Sequence, residues 1–186
     1  MLVSGPPIIV GSIARRYAKA LFSLADEQGQ VEQWSSGLEA LGRALASSPE
    51  LRETLSSPVF DKDQRRGVVT SLATSLGLAE TVRNFLLLLA DRDRLGYLAA
   101  IVVDFRDLAD ARLGRVRAKV TSAVPLAAEE AKRIAEKLAQ GARAEVIVET
   151  NVDAALLGGV VAQVGSLVYD GSVRSQLEEL RRSMKH

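Results

Sequence analysis

Carboxylates are the residues in this chain that come nearest to a catalytic pattern. Asp91, Asp93 and Asp170 stand in predicted loops, where a carboxylate could act as a general base. Residues 129–130 and 178–179 are adjacent glutamate pairs, and successive helix positions point about 100° apart, so neither pair converges on one point. The three aspartates have no partner visible in the sequence, which is typical of solvated loop carboxylates. We therefore expect no catalytic residue.

The other residues and motifs that usually perform catalysis or bind cofactors are absent from the sequence. The 186 residues include no cysteine, and the single histidine, His186, is the last residue. Disulfides, thiol nucleophiles and cysteine-ligated metals are thereby excluded, and the interior lacks the commonest general base. No GxxxxGK[ST], GxGxxG, HExxH or GxSxG motif is present. The glycines at 158, 159 and 165 are interpreted as bends in a sheet, so we expect neither a metal nor a cofactor.

A basic cluster leaves one binding role open. It consists of Arg106, Arg112, Arg115, Arg117 and Lys119. The chain as a whole has 24 basic and 23 acidic residues, which argues against a protein built as a polycation for nucleic acid. The cluster also lacks the interleaved aromatic residues of single-strand platforms. It is either a solvated strand face or the contact face of a nucleic-acid-binding adaptor that uses Arg115, Arg117 and Lys119.

The predicted secondary structure changes from helices to strands near Gly114. From Ser12, a predicted N-cap, to residue 112 the apolar residues recur at helical spacing, and brief connections divide this stretch into six helices. The sequence predicts an N-terminal six-helix bundle over 12–112. Residues 1–11 contain Pro6 and Pro7 and no basic residue, and are predicted to be a flexible leader. No stretch reaches the roughly 18 uninterrupted apolar residues of a membrane span.

After Gly114 the apolar residues alternate, which is typical of half-buried strands. Residues 115–186 are predicted to form a small α+β domain of about four short strands and two helices, so the fold class is α+β, mainly α. Gly165 begins a predicted type II′ hairpin turn with Ser166. Ser172 is predicted to cap the last helix. The apolar stripe of that helix is expected to be buried; it comprises Val173, Leu177, Leu180 and Met184.

Two N-terminal helices carry more apolar surface than a small bundle needs. The first has one apolar face at Ile13, Tyr17, Leu21 and Leu24 and a second at Ala14, Ala18, Phe22 and Ala25. The segment FLLLLA, residues 85–90, is apolar all round. An amphipathic partner helix could lie across these two helices.

Four segments together resemble one known family. They are ARRYAKALFSLA at 14–25, FLLLLADRDRL at 85–95, VTSAVPL at 120–126 and LGGVVAQVGSLVYDGSVRSQLEEL at 157–180. In this order, over nearly the whole chain, they resemble the delta subunit of F-type ATP synthases, which is called the oligomycin-sensitivity-conferring protein in mitochondria.

The resemblance implies a non-catalytic stator subunit, present in one copy per complex, on the cytoplasmic face of a bacterial inner membrane. Such a subunit joins the catalytic head to the peripheral stalk, so that the head does not turn with the rotor during proton-driven ATP synthesis. The N-terminal domain of the family receives N-terminal helices of the alpha subunits, and the C-terminal domain meets the b-type stalk subunits. The matching partner-binding residues are Tyr17, Ala18 and Leu21 on the first helix and Phe85, Leu88 and Leu89 on the fifth.

Overall fold

The computed structural model describes residues 8–57, 59–142, 144–165 and 167–183. The chain divides into two compact units after Ala109, and each unit is described by itself below. The described residues form eight α-helices and four β-strands. The protein is therefore mainly helical, with a small four-stranded mixed sheet, as the sequence predicts.

Six α-helices precede the first strand. Their bounds are α1 Ile8–Glu27, α2 Val31–Ser47, α3 Pro49–Ser56, α4 Lys62–Ser75, α5 Glu80–Asp91 and α6 Leu98–Leu113. Local signals fix several of the ends. Ser48 Oγ accepts from the Leu51 N–H at 3.2 Å, with proline next at the first helical position. Asp61 and Gln64 form a reciprocal capping box at the start of α4.

The predicted cap at Ser12 is wrong, because α1 begins at Ile8 and Ser12 lies inside the helix. Serine is favoured at an N-cap but is also tolerated inside a helix, so a serine before an apolar run does not by itself fix where the helix begins. Residues 1–7 of the predicted leader lie outside the described residues.

The core of the first unit is built on Trp34 and Phe105, its two largest fully buried side chains. The apolar stripe of α2 is buried throughout; it consists of Val31, Trp34, Leu38, Leu41 and Leu45. Phe22 of α1 meets Phe105 edge to face, with 6.1 Å between ring centroids. Burying each such side chain contributes about 1.5–3 kcal/mol, so these contacts dominate the packing of this unit.

The second unit contains the sheet. Its elements are β1 Arg115–Ser122, α7 Ala128–Ala142, β2 Glu145–Val152, β3 Gly159–Val164, β4 Leu167–Ser172 and α8 Val173–Ser183. The strand order is β2-β1-β3-β4; β1 and β2 are parallel, and the other two pairs are antiparallel. The parallel pair is connected through α7, as a parallel connection requires. β4 lies at an edge of the sheet.

A small apolar cluster holds the sheet and α7 together. It is formed by Ala118 and Val120 of β1, Val146 of β2 and Ala162 of β3, with Ile134 and Leu138 of α7 packed against it. The predicted alternation along β1 is seen here, since Ala118, Val120 and Ser122 are buried and Lys119 is exposed.

Val164 pairs with Leu167, so the predicted two-residue hairpin connects β3 to β4. Gly165 has φ +58°, the left-handed value that its place in the predicted turn requires. Ser166 lies outside the described residues.

The predicted burial of the α8 stripe is wrong for the two residues that can be assessed. Val173 and Leu177 are exposed, while Leu180 and Met184 are not among the side chains described. The apolar periodicity is correct, but no described element of the second unit buries these two side chains.

Candidate docking surface

The six predicted partner-binding residues divide into two groups. Ala18, Leu21 and Leu89 are fully buried. Their helical spacing places them on the inner faces of α1 and α5, where they pack in the core and expose no side-chain surface to a partner. Tyr17, Phe85 and Leu88 lie at least partly on the surface.

These three surface residues form an apolar stripe across two helices. Tyr17 of α1 meets Phe85 of α5 edge to face, with 6.2 Å between ring centroids. Leu88 follows Phe85 by three residues, so it lies on the same side of α5, and it is 45% exposed. We call Tyr17, Phe85 and Leu88 the α1/α5 stripe.

One further residue belongs with the α1/α5 stripe. Leu24 lies seven residues after Tyr17, two helical turns along the same side of α1, and its side chain is exposed. The helical repeat predicts this placement from the sequence, although Leu24 is absent from the residues that the resemblance carries over.

Asp91 and Asp93 have ion-pair partners that the sequence does not reveal. Arg66 Nη1 of α4 donates to both oxygens of Asp91 at 2.6 and 2.7 Å. This hydrogen bond, together with the attraction of the carboxylate, raises the pKa of Arg66 above its usual value. The buried Arg65 donates through Nη2 to Asp93 Oδ1 at 2.8 Å. The two carboxylates therefore tie the end of α5, just after Leu88, to α4, and are not candidates for a general base.

We expect Asp93→Asn to destabilise the first unit by about 1–2 kcal/mol, because the buried Arg65 loses a charged acceptor. Asparagine tolerates the φ of +53° at this position, so backbone strain does not change. Urea unfolding followed by the fluorescence of Trp34, the only tryptophan, measures the effect. Asp91→Asn is the matched control: its partner is solvent-accessible, so the expected loss is about 0–1 kcal/mol. Equal losses in both variants would contradict this account.

Two of the three basic residues in the alternative nucleic-acid face are neutralised. Arg115 Nε donates to Glu145 Oε2 at 2.9 Å. Arg117 donates to Asp110 Oδ2 at 2.5 Å and to Glu149 Oε1 at 3.1 Å. Guanidinium groups held in this way are poorly placed to bind phosphates, so the geometry counts against a nucleic-acid-binding adaptor.

The second unit carries its own apolar surface. On β4, Leu167, Val168 and Tyr169 are exposed, and on α8 so are Val173 and Leu177. We call these five residues the β4/α8 surface; Leu167 and Tyr169 lie on one face of β4 and Val168 on the other, because successive strand residues alternate. The register pairs Tyr169 with the buried Ala162, so the core face of the sheet continues out to β4. There Tyr169 is left exposed by the described elements of this unit.

A hydrogen-bonded cap connects β4 to α8. The Ser175 N–H donates to Ser172 Oγ at 3.2 Å, which makes Ser172 the N-cap of α8. Ser175 Oγ donates to Asp170 Oδ2 at 2.6 Å, and the Ser172 N–H donates to Asp170 Oδ1 at 2.9 Å. The hydroxyl of Ser175 and then the Ser172 N–H lower the pKa of Asp170 below its usual value.

This cap is expected to weaken in acid. Because folding lowers the pKa of Asp170, its stabilisation is fully present above the unfolded-state pKa of about 3.9 and is lost as the pH falls through the folded value. Amide exchange of Ser175, measured by NMR from pH 6 downward, should show protection decreasing below about pH 4. In Asp170→Asn the protection should be lower at pH 6 and should depend less on pH. An identical acid profile in this variant would show that another group is responsible.

The described residues contain no cluster of three or more acidic or histidine side chains that could hold a metal ion. Among them, no helix is long and apolar enough to cross a bilayer. Each of the two units exposes an apolar surface. The carboxylates considered as candidate bases are instead engaged in a cap and in ion pairs. These are the features of a protein that binds other proteins.

Comparison with known proteins gives the family. The profile of the OSCP family, described as ATP synthase delta (OSCP) subunit, matches residues 13–184. The chain is 61% identical over 178 residues to the ATP synthase subunit delta of Anaeromyxobacter sp. (strain Fw109-5), covering 96% of this chain and 99% of that protein. It is 49% identical over 176 residues to the ATP synthase subunit delta of Myxococcus xanthus (strain DK1622), covering 94% and 97%. The chain therefore belongs to the ATP synthase delta (OSCP) subunit family.

A solved structure supports the fold. The chain resembles one chain of the mitochondrial ATP synthase hexamer of Toxoplasma gondii, determined by cryo-electron microscopy, with a TM-score of 0.70 and 21% sequence identity. The similarity covers 93% of this chain and 97% of that chain, so it includes both units.

Proposed function

We propose that this chain is a non-catalytic stator subunit of an F-type ATP synthase, which links the catalytic head to the peripheral stalk. The observation that carries the proposal is one uncovered apolar surface on each compact unit of a chain in this family. A stator must resist torque, so it needs slowly dissociating contacts with two partners and no chemistry of its own.

Each surface has its own partner in this proposal. The α1/α5 stripe receives an N-terminal helix of an alpha subunit, with residues 12–112 acting as a six-helix head-binding bundle. The β4/α8 surface receives the end of the b-type stalk subunits, with residues 115–186 as the stalk-binding domain. Apolar anchors with polar surroundings suit a helix-in-groove interface of this kind. One copy per complex is expected, held through its partners at the cytoplasmic face of the bacterial inner membrane.

Co-purification tests the proposal. A tagged full-length chain, expressed in a bacterium with its own alpha and b subunits, should carry both subunits out of detergent-solubilised membranes. Removing residues 115–186 should abolish recovery of b and preserve recovery of alpha. Recovery of neither subunit with the full chain would refute the stator role. No observation on the described residues favours the nucleic-acid adaptor, and a salt titration against duplex and single-stranded DNA would detect it, because phosphate binding weakens steeply with salt.

A further inference from the structure

A hollow beside the α1/α5 stripe is lined by two arginines. It has a volume of about 360 Å³ and is formed by Ile13, Arg16, Tyr17, Ala20 and Arg94. Tyr17 belongs to both the hollow and the stripe, so a helix that covers the stripe also reaches the hollow. Two of the five lining residues are cationic and none is acidic.

Both guanidinium groups remain available to a partner. Arg94 lies over the ring of Tyr97, 5.6 Å from its centroid, and its Nη1 donates to the Tyr97 hydroxyl at 3.5 Å. Both contacts hold the side chain in place without neutralising its charge. Arg16 is exposed on α1. Within the described part of the chain, neither arginine makes an ion pair, whereas Arg65 and Arg66 are each bonded to an aspartate.

We infer that Arg16 and Arg94 form an acid-recognition site at one end of the α1/α5 stripe, which selects a partner helix carrying an aspartate or glutamate beside its apolar face. The inference rests on the proposed function and specifies which helices the stripe accepts. Guanidinium groups bind carboxylates through charge-assisted hydrogen bonds, and a covering helix would exclude water from the hollow and strengthen them.

The two kinds of contact would serve different purposes. Apolar contact along Tyr17, Phe85 and Leu88 supplies affinity, but it accepts any apolar helix face of suitable shape. A carboxylate that must meet Arg16 and Arg94 fixes the position of the helix along the stripe and disfavours helices with a lysine or an amide there. The hollow therefore supplies register and specificity.

Calorimetry with a synthetic peptide that has the sequence of an alpha N-terminal helix tests the inference. We expect Arg16→Met and Arg94→Met in the full chain each to weaken binding by about fivefold or more, because methionine keeps much of the apolar stem and removes the charge. A set of peptides, each with one carboxylate changed to an amide, should include one whose affinity for the unmodified chain falls by a similar factor. The affinity of that peptide should fall little further when the chain carries Arg94→Met, because the carboxylate–arginine contact is already absent.

Arg15→Met is the matched control, since Arg15 is also exposed on α1 but does not line the hollow. Thermal unfolding reports whether Arg94→Met still folds, and Arg16→Met alone carries the test if it does not. An equal loss of peptide affinity with Arg15→Met would overturn the acid site and leave the stator role standing. The same conclusion would follow if the affinity losses of the chain variants and of the altered peptides were additive in every combination. Failure of the unmodified peptide to bind the unmodified chain would overturn both.

Discussion

Leu88→Asp should weaken binding of the alpha N-terminal peptide by about 100-fold or more, which corresponds to roughly 3 kcal/mol. In the proposed complex Leu88 lies under the partner helix, and an aspartate there would be buried without a partner charge. In the free chain the substituted side chain points into solvent, since Leu88 is 45% exposed, so the fold should be retained. Calorimetry for the affinity and circular dichroism for the helix content separate the two effects.

Val103→Asp is the matched control for this variant. Val103 is 47% exposed and lies on α6, which supplies no residue of the α1/α5 stripe. It should bind the peptide as the unmodified chain does. If both variants bind normally, the peptide does not use the stripe.

The second large effect is expected from Gly159→Ala at the start of β3. Gly159 has φ +77°, and a Cβ added there would overlap the carbonyl oxygen of Gly171 and lie 2.9 Å from the Cα of Ser172. The obstructing atoms belong to the backbone of β4, which can move only by disrupting its pairing with β3. Backbone strain and overpacking each cost about 1–3 kcal/mol, so we expect a combined loss of about 2–6 kcal/mol in the second unit.

The same variant should separate the two partners. Because the defect lies between β3 and β4, binding to a peptide from the C-terminal end of the b-type stalk protein should weaken while binding to the alpha peptide is unchanged. Gly165→Ala is the matched control: its φ is +58°, but nothing lies within 4 Å of the added Cβ, so its expected cost is about 1–2 kcal/mol. Equal destabilisation of the two variants would mean that the close approach of β4 is unimportant.

Local signals in the sequence account for several helix ends and for the change from helices to strands. The capping box at Asp61, the serine–proline pair at Ser48 and the change of period at Gly114 depend on interactions within a few residues, so they are readable without knowing the fold. The hairpin between β3 and β4 belongs to the same class, since its register follows from the length of its turn.

The candidate surfaces were harder to predict, because exposure depends on what covers a face. Leu88 and Leu89 are neighbours in the sequence, yet one is on the surface and the other is in the core, since one helical step turns the side chain by about 100°. The α8 stripe has the correct period, but a period cannot reveal whether another element lies over it. Arg65 and Asp93 are 28 residues apart, and no local pattern connects them.

The position of β4 at the edge of the sheet bears on how the chain behaves before it is assembled. No strand among the described residues pairs with its outer edge, and Leu167, Val168 and Tyr169 are all exposed along it. Edges of this kind recruit strands from other copies; β4 contains no proline or lysine, and its one charged side chain, Asp170, is engaged in the cap of α8. Newly made chains that outnumber their stalk partners are therefore expected to self-associate. A cell gains by synthesising this protein in step with the rest of the complex and by degrading the surplus.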